Sequence, residues 1–212
     1  HTGFSVSHAG DINGDGFDDI LIGAHDADPN DISDAGAVYV VFGGDYSESV
    51  TQSGTVAADI MIGSGGADVL VSGRGDDLLL DIATDDVAYT ATGNDTIVIQ
   101  NASFDRIDGG PGTDTLQLAT NNLHLDLTTI PDSRIRGIEK IHLGSASTAT
   151  TLTLNALEVV NLSGSSNTLT VTGDNNDTLN FGSGWTWIRP KLNETVHEYR
   201  QGTATLLVDS NI

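Results

Sequence analysis

The chain has no cysteine among its 212 residues. That excludes a disulfide framework, thiolate metal sites and a cysteine nucleophile. It is also poor in positive charge, with 8 Lys+Arg against 30 Asp+Glu and a formal net charge of -22. A surface this acidic repels nucleic acid and anionic membranes, and cations are its natural partners. Self-repulsion on that scale opposes compaction unless counter-ions bind at defined places, so metal binding and folding are expected to be coupled. No run reaches the ~18 consecutive apolar residues of a membrane-spanning helix, and membrane insertion is not expected. Catalytic signatures are missing too: there is no Gly-x-Ser-x-Gly elbow and no His-Glu-x-x-His pair. His25, His124, His142 and His197 are scattered through β-type pattern and read as structural, so no enzymatic activity is expected.

What the chain does have is a period. Aspartate returns at position six of a nine-residue unit, as Asp68, Asp77, Asp86 and Asp95, and again as Asp105 and Asp114 after one inserted residue. The units are residues 63–71, 72–80, 81–89, 90–98, 100–108 and 109–117, with glycine at position four in four of the six. Position eight is Leu70, Leu79, Ala88, Ile97, Ile107 and Leu116. So short a repeat requires stacking. A six-residue turn followed by a three-residue strand makes half a circuit, so units eighteen residues apart lie over one another. Glycine lets the turn adopt angles that other residues avoid, aspartate supplies an anionic oxygen suited to a hard cation, and position eight points into a narrow core. Unit 81–89 has lost its glycines, and any site that uses Asp86 is expected to be the weakest.

The first fifty residues differ in pattern. Phe4 to Ser7, Asp19 to Ile22 and Ala37 to Phe42 read as strands bounded by glycines. Between the first two, Asp11, Asn13, Asp15 and Asp19 occupy positions one, three, five and nine of a calcium-loop spacing, with the Phe17 carbonyl at seven. Position twelve is Ile22 rather than glutamate, which excludes a true EF-hand. Residues 3–24 and 36–43 resemble one FG-GAP repeat of the integrin α-subunit β-propeller.

The nonapeptides resemble the RTX, or haemolysin-type, repeat that winds a parallel β-roll around Ca²⁺. Beyond them, Ile135-Arg-Gly-Ile-Glu-Lys-Ile-His-Leu143, Leu152-Thr-Leu154, Val160-Asn-Leu-Ser163 and Asn167 to Gly173 are similar to the C-terminal part of large secreted bacterial RTX adhesins. Apolar pairs continue at Leu123/Leu125, Ile141/Leu143, Leu152/Leu154, Val160/Leu162, Leu169/Val171 and Leu179/Phe181, while the aspartate code fades except near Asp174 and Asp177. Trp185 and Trp187 precede a pattern for a closing hairpin over residues 196–208.

The resemblance implies an all-β chain in three parts. Residues 1–50 form an FG-GAP-like calcium-binding β unit, 51–120 a right-handed parallel β-roll, and 121–212 a metal-poor β-solenoid extension with a C-terminal capping hairpin. The expected Ca²⁺ ligands are Asp11, Asn13, Asp15, Phe17 and Asp19 in the first part. In the second they are Asp68, Asp77, Asp86, Asp95, Asp105 and Asp114, with turn carbonyls from Gly63, Gly65, Ser72, Arg74, Thr90, Thr92 and Gly109. The carboxylates are expected to pair across stacked turns: Asp68 with Asp86, Asp86 with Asp105, Asp77 with Asp95, Asp95 with Asp114. The implied function is a structural and adhesive module of a secreted, surface-associated bacterial protein, exported unfolded and folding on extracellular calcium, with a host-surface glycan or protein as partner. The alternatives are a non-catalytic calcium module of a secreted lipase or protease, and a glycan- or peptide-binding module centred on Trp185, Trp187 and Tyr199.

Overall fold

A computed structural model describes residues 5–10, 12, 18–25, 27, 35–41, 50–119, 123–144, 149–188 and 196–212. The chain divides into two compact units, His1–Ser49 and Val50–Ile212. In the first, β1 (Ser5–Gly10), β2 (Asp19–Ala24) and β3 (Ala37–Val41) form an antiparallel sheet in that order, with Val6, Ile22 and Tyr39 opposite one another. These are the three strands the sequence pattern marks.

In the second unit, short strands follow one another at the period of the nonapeptides. They are β4 (Gln52–Ser53), β5 (Ile60–Ile62), β6 (Val69–Val71), β7 (Leu78–Ile82), β8 (Val87–Tyr89), β9 (Thr96–Ile99), β10 (Arg106–Asp108) and β11 (Thr115–Leu118). Next come β12 (His124–Asp126), β13 (Ile135–Arg136), β14 (Lys140–His142), β15 (Thr151–Thr153), the helix α1 (Ala156–Ser163) and β16 (Thr168–Thr172). The chain ends with β17 (Thr178–Asn180), β18 (Thr186–Ile188), β19 (Val196–Gln201) and β20 (Ala204–Asp209). Consecutive array strands alternate between two sheets. The even members β4, β6, β8 and β10 pair in parallel in one, joined by β13, while β5, β7, β9, β11, β14 and β16 pair in parallel in the other. Val69 faces Val87 and Leu78 faces Thr96, so array strands lie beside those eighteen residues on, or nineteen across the inserted residue, as Thr96 faces Thr115.

Side chains at position eight explain this register. Leu70, Leu79, Ala88, Ile97, Ile107 and Leu116 all have 0% exposure, and together they form the continuous core between the two sheets. A one-residue slip would turn every one of them outward, so the aliphatic column fixes the pairing. Positions seven and nine face away from that column. There Val69 is buried and Val71, Leu78 and Leu80 are half-buried, whereas Ile60 and Ile62 on β5 are exposed.

The C-terminal region departs from the expected run of strands at one place. Val160 and Leu162, expected as one of the strand-like apolar pairs, lie in α1 instead. Asn155 caps this helix, its side-chain oxygen accepting from the N–H groups of Leu157 and Glu158 at 2.7 and 3.2 Å. Val159 and Leu162, three residues apart, form its buried stripe. The remaining pairs sit in or beside strands: β12, β15 and β17 form a separate parallel sheet, and β16 extends the long one. At its end β20 joins β16 in parallel, and β19 and then β18 add antiparallel strands through the turn at Gly202. The expected hairpin is therefore present, as an extension of the sheet. Trp185 is half-buried, its indole N–H donating to the Phe181 carbonyl at 2.7 Å, while Trp187 is 52% exposed.

Replacing Asn155 with Ala removes the acceptor of two otherwise unpaired helix N–H groups, and a loss of about 1 kcal/mol is expected. Urea unfolding should show a lower midpoint for Asn155→Ala at unchanged slope.

Candidate metal centre

The stacked turns bring the aspartates into two rows. In the first row, the backbone N–H of each turn's aspartate donates to the carboxylate of the next turn. Asp59 N–H donates to Asp77 Oδ1 at 2.8 Å, Asp77 N–H to Asp95 Oδ1 at 2.7 Å, and Asp95 N–H to Asp114 Oδ1 at 2.8 Å. Asp114 N–H then donates to Glu139 Oε2 at 2.9 Å. In the second row, on the opposite turns, Asp68 N–H donates to Asp86 Oδ1 at 2.9 Å. Asp68, Asp77, Asp86, Asp95 and Asp114 are all at least 95% buried, with exposures of 0 to 5%.

The two rows differ in their other oxygen. In the second row Asp68 Oδ2 accepts from the Ser64 N–H, and Asp86 Oδ2 accepts from the Ala83 N–H at 2.7 Å. These carboxylates are satisfied by their own turns, and the Ser64 N–H holds the Asp68 carboxyl below its ordinary value. In the first row Asp77, Asp95 and Asp114 each have an Oδ2 that is buried and without a hydrogen-bond partner. Here the turn N–H groups are spent between turns rather than within them. Arg74 N–H donates to Thr55 O, Gly75 N–H to Thr92 O and Thr92 N–H to Gly73 O, at 3.0 to 3.1 Å. None of the three aspartates is in an ion pair among the described residues.

Glycine makes this stacking possible. A Cβ on Gly93 would lie 1.8 Å from the Gly75 carbonyl oxygen and 3.0 Å from Asp95 Oδ1, and one on Gly112 would lie 1.6 Å from the Gly93 oxygen. No side chain fits there, and Gly75 and Gly93 also hold positive φ, at 112° and 156°. The carbonyls of successive turns are thereby brought beside the carboxylates. Below them Ser72 Oγ donates to Thr90 O at 3.1 Å and Thr90 Oγ1 to Gly109 O at 2.8 Å, a buried hydroxyl ladder along the same row. Among the described residues no three acidic or imidazole side chains converge on one point, so a cation on this row would have to be completed by backbone oxygens. The donor set is all oxygen, anionic and buried, which fits a hard cation such as Ca²⁺ and offers nothing to a soft one.

The expected ligands are thus distributed unevenly. Asp77, Asp95 and Asp114 fall into the row with bare oxygens, together with Ser72, Thr90 and Gly109 at the turn starts and the exposed Arg74 and Thr92, which bridge adjacent turns. Asp68 and Asp86 share the second row, with Gly63 near and Gly65 facing open space. Asp105 does not join it. Its carboxylate is exposed, because Phe104 fills the turn beneath the Arg134 guanidinium and the N–H groups of Asp105 and Arg106 both go to the Asp86 carbonyl. The glycine-free turn before Asp86 is held with Asp81 and Asp85 at φ of 60° and 64°, angles costly for a residue with a Cβ. Near the C-terminus Asp177 repeats the same arrangement once, accepting from Thr150 N–H and Asp174 N–H at 3.0 and 2.9 Å. Asp59 and Glu139 join the first row although neither is among the ligands expected from the repeat. Asp59 lies one nine-residue step before Asp68, with Met61 buried at position eight of the same frame, so the signal was present; Glu139 lies twenty-five residues beyond Asp114 and had none.

In the first unit Asp19 is fully buried and its Oδ2 accepts from the Ile12 N–H at 2.7 Å. The other expected ligands there, Asp11, Asn13, Asp15 and Phe17, lie outside the described residues. Residues 2–41 match the FG-GAP repeat family. No curated protein and no solved structure matches the chain.

Burial pushes the Asp114 carboxyl up to about 7, reinforced by the charges of Asp95, Glu139 and Asp108, and it also raises Asp95 and Glu139. In the cation-free protein a raised acid is stabilising while it keeps its proton. Its contribution is therefore complete below the unfolded value of 3.8, falls as pH rises, and is gone above about 7. In chelator the urea midpoint should fall between about pH 4 and about pH 7 as the array loses its fold, and Asp114→Asn should flatten that slope.

Proposed function

We propose that the chain is a calcium-dependent structural and adhesive module, with residues 51–120 forming an RTX-type right-handed parallel β-roll and the region after it a β-solenoid extension. The observation that carries this reading is the row of three buried Oδ2 atoms without partners, on Asp77, Asp95 and Asp114, stacked beside glycine carbonyls. Ca²⁺ bound along the row would supply the positive charge and the oxygen coordination that these groups lack. The chain's own part is to hold the carboxylates in line through the turn-to-turn N–H bonds, to bring carbonyls beside them, and to keep water away by burial.

On this reading calcium controls folding. Each occupied site contributes RT ln(1 + [L]/Kd), roughly 2.7 kcal/mol at a hundredfold excess over Kd. Sites of extracellular modules are matched to about 10⁻⁴–10⁻³ M calcium. That range suits a secreted, surface-associated bacterial protein that stays unfolded until it meets external calcium. The FG-GAP repeat at residues 2–41 accords with a surface role. A host-surface glycan or protein is the partner such a module would hold. A second reading has one observation of its own: Trp187 is 52% exposed and lies directly opposite Tyr199, as a saccharide platform on β18 and β19 would require.

Circular dichroism in chelator should show loss of β signal from the array, with cooperative recovery in millimolar Ca²⁺ and poor recovery in Mg²⁺, which demands shorter octahedral bonds. Asp95→Asn should raise the calcium midpoint several-fold, and Asp68→Asn much less, because Asp68 is already satisfied by Ser64. Equal midpoints, or an array that stays folded without calcium, would leave only a passive β scaffold.

A further inference from the structure

We propose that Glu139 is a terminal cation ligand, so that the row of sites extends past the nonapeptides into the C-terminal region, with one more hard divalent cation held between Asp114 and Glu139. This rests on the calcium reading of the row. Glu139 lies outside every nonapeptide, yet register places it where an aspartate would be. Thr115 pairs with Lys140, so the residues before them, Asp114 and Glu139, are stacked. The Asp114 N–H donates to Glu139 Oε2 at 2.9 Å, repeating the bond that links the three preceding rungs at 2.8, 2.7 and 2.8 Å. Glu139 N–H and Lys140 N–H both donate to the Asp114 carbonyl, at 3.1 and 2.9 Å, which clamps the two turns together.

A second observation points to a ligand. Asp114 has 0% exposure and its Oδ2 has no partner. The space beside that oxygen is bordered by a carbonyl from the same turn as Glu139: a Cβ on Gly109 would lie 2.9 Å from Asp114 Oδ2 and 2.0 Å from the Gly137 oxygen. Glutamate rather than aspartate suits the shorter connection. Only Gly137, Ile138 and Glu139 separate β13 from β14, with Gly137 at φ 66° and Ile138 fully buried, and the extra methylene restores the reach of the lost turn residues. If Glu139 served only to accept the Asp114 N–H, a neutral amide would do the same work; the carboxylate is needed only if a charge must be met.

Glu139→Gln separates the two roles, since it keeps the acceptor and removes the charge. Native mass spectrometry of the full chain across a calcium titration, with circular dichroism at saturating calcium as the folding control, counts the bound ions. Glu139→Gln should bind one ion fewer per chain than the wild type. Asp114→Asn should lose that ion as well, so the double variant should lose no more than Asp114→Asn alone. An unchanged count in Glu139→Gln, or a further ion lost in the double variant, overturns the proposal while leaving the calcium row intact. A wild type that binds no calcium overturns both.

Discussion

The bond from the backbone N–H of one turn to the carboxylate of the next is the interaction on which the second unit depends. It does two things at once. It satisfies a buried donor that the short strands cannot reach, and it fixes the height of each turn over its neighbour. The aliphatic column at position eight sets which residues face inward, but a column of similar side chains tolerates sliding along the stack. The carboxylate bonds remove that freedom, because only a side chain with an acceptor oxygen at the matching position can take the N–H.

The same bond creates the electrostatic problem. It lines up Asp77, Asp95 and Asp114 in a protein of charge -22, and it uses one oxygen of each while burying the other. An uncompensated buried ion carries a penalty of several kcal/mol, and a domain's whole stability is about 5–15 kcal/mol. Three such groups in one row are therefore of the order of the total, and protons or a cation must offset them. The second row escapes because Ser64 and Ala83 turn their N–H groups inward, as Thr55 does for Asp59 but as the turns before Asp77, Asp95 and Asp114 do not. Where the turn's donors point thus decides which face of the stack depends on a counter-ion.

Much of this was legible in the sequence. The nine-residue period predicted the register, all six position-eight residues are fully buried, and the pairs Asp68/Asp86, Asp77/Asp95 and Asp95/Asp114 meet across turns. The asymmetry between the rows was not legible, since it rests on backbone N–H directions that Ser64 and Arg74 do not reveal by residue type. Asp105 matched the pattern and failed in space because its neighbour Phe104 took the interior. Val160 and Leu162 fit a strand pair by spacing, but the Asn155 cap and the i, i+3 pair Val159/Leu162 favoured a helical turn. Glu139 was invisible because the stacking partner of Asp114 is separated from it by an insertion that holds β12 and β13.

The antiparallel pair at the end of the long sheet has a consequence for self-association. A stack of parallel strands is open-ended, since each new strand offers the next the same template, and identical chains could in principle elongate it into a fibre. Here β19 reverses the strand direction and β18 reverses it again, and the last edge is only the three residues Thr186–Ile188. The smaller sheet finishes on β4 and β13, two residues each. Growth by copying is interrupted where the pattern changes sense, so a repeat that lends itself to endless propagation is confined to a finite particle.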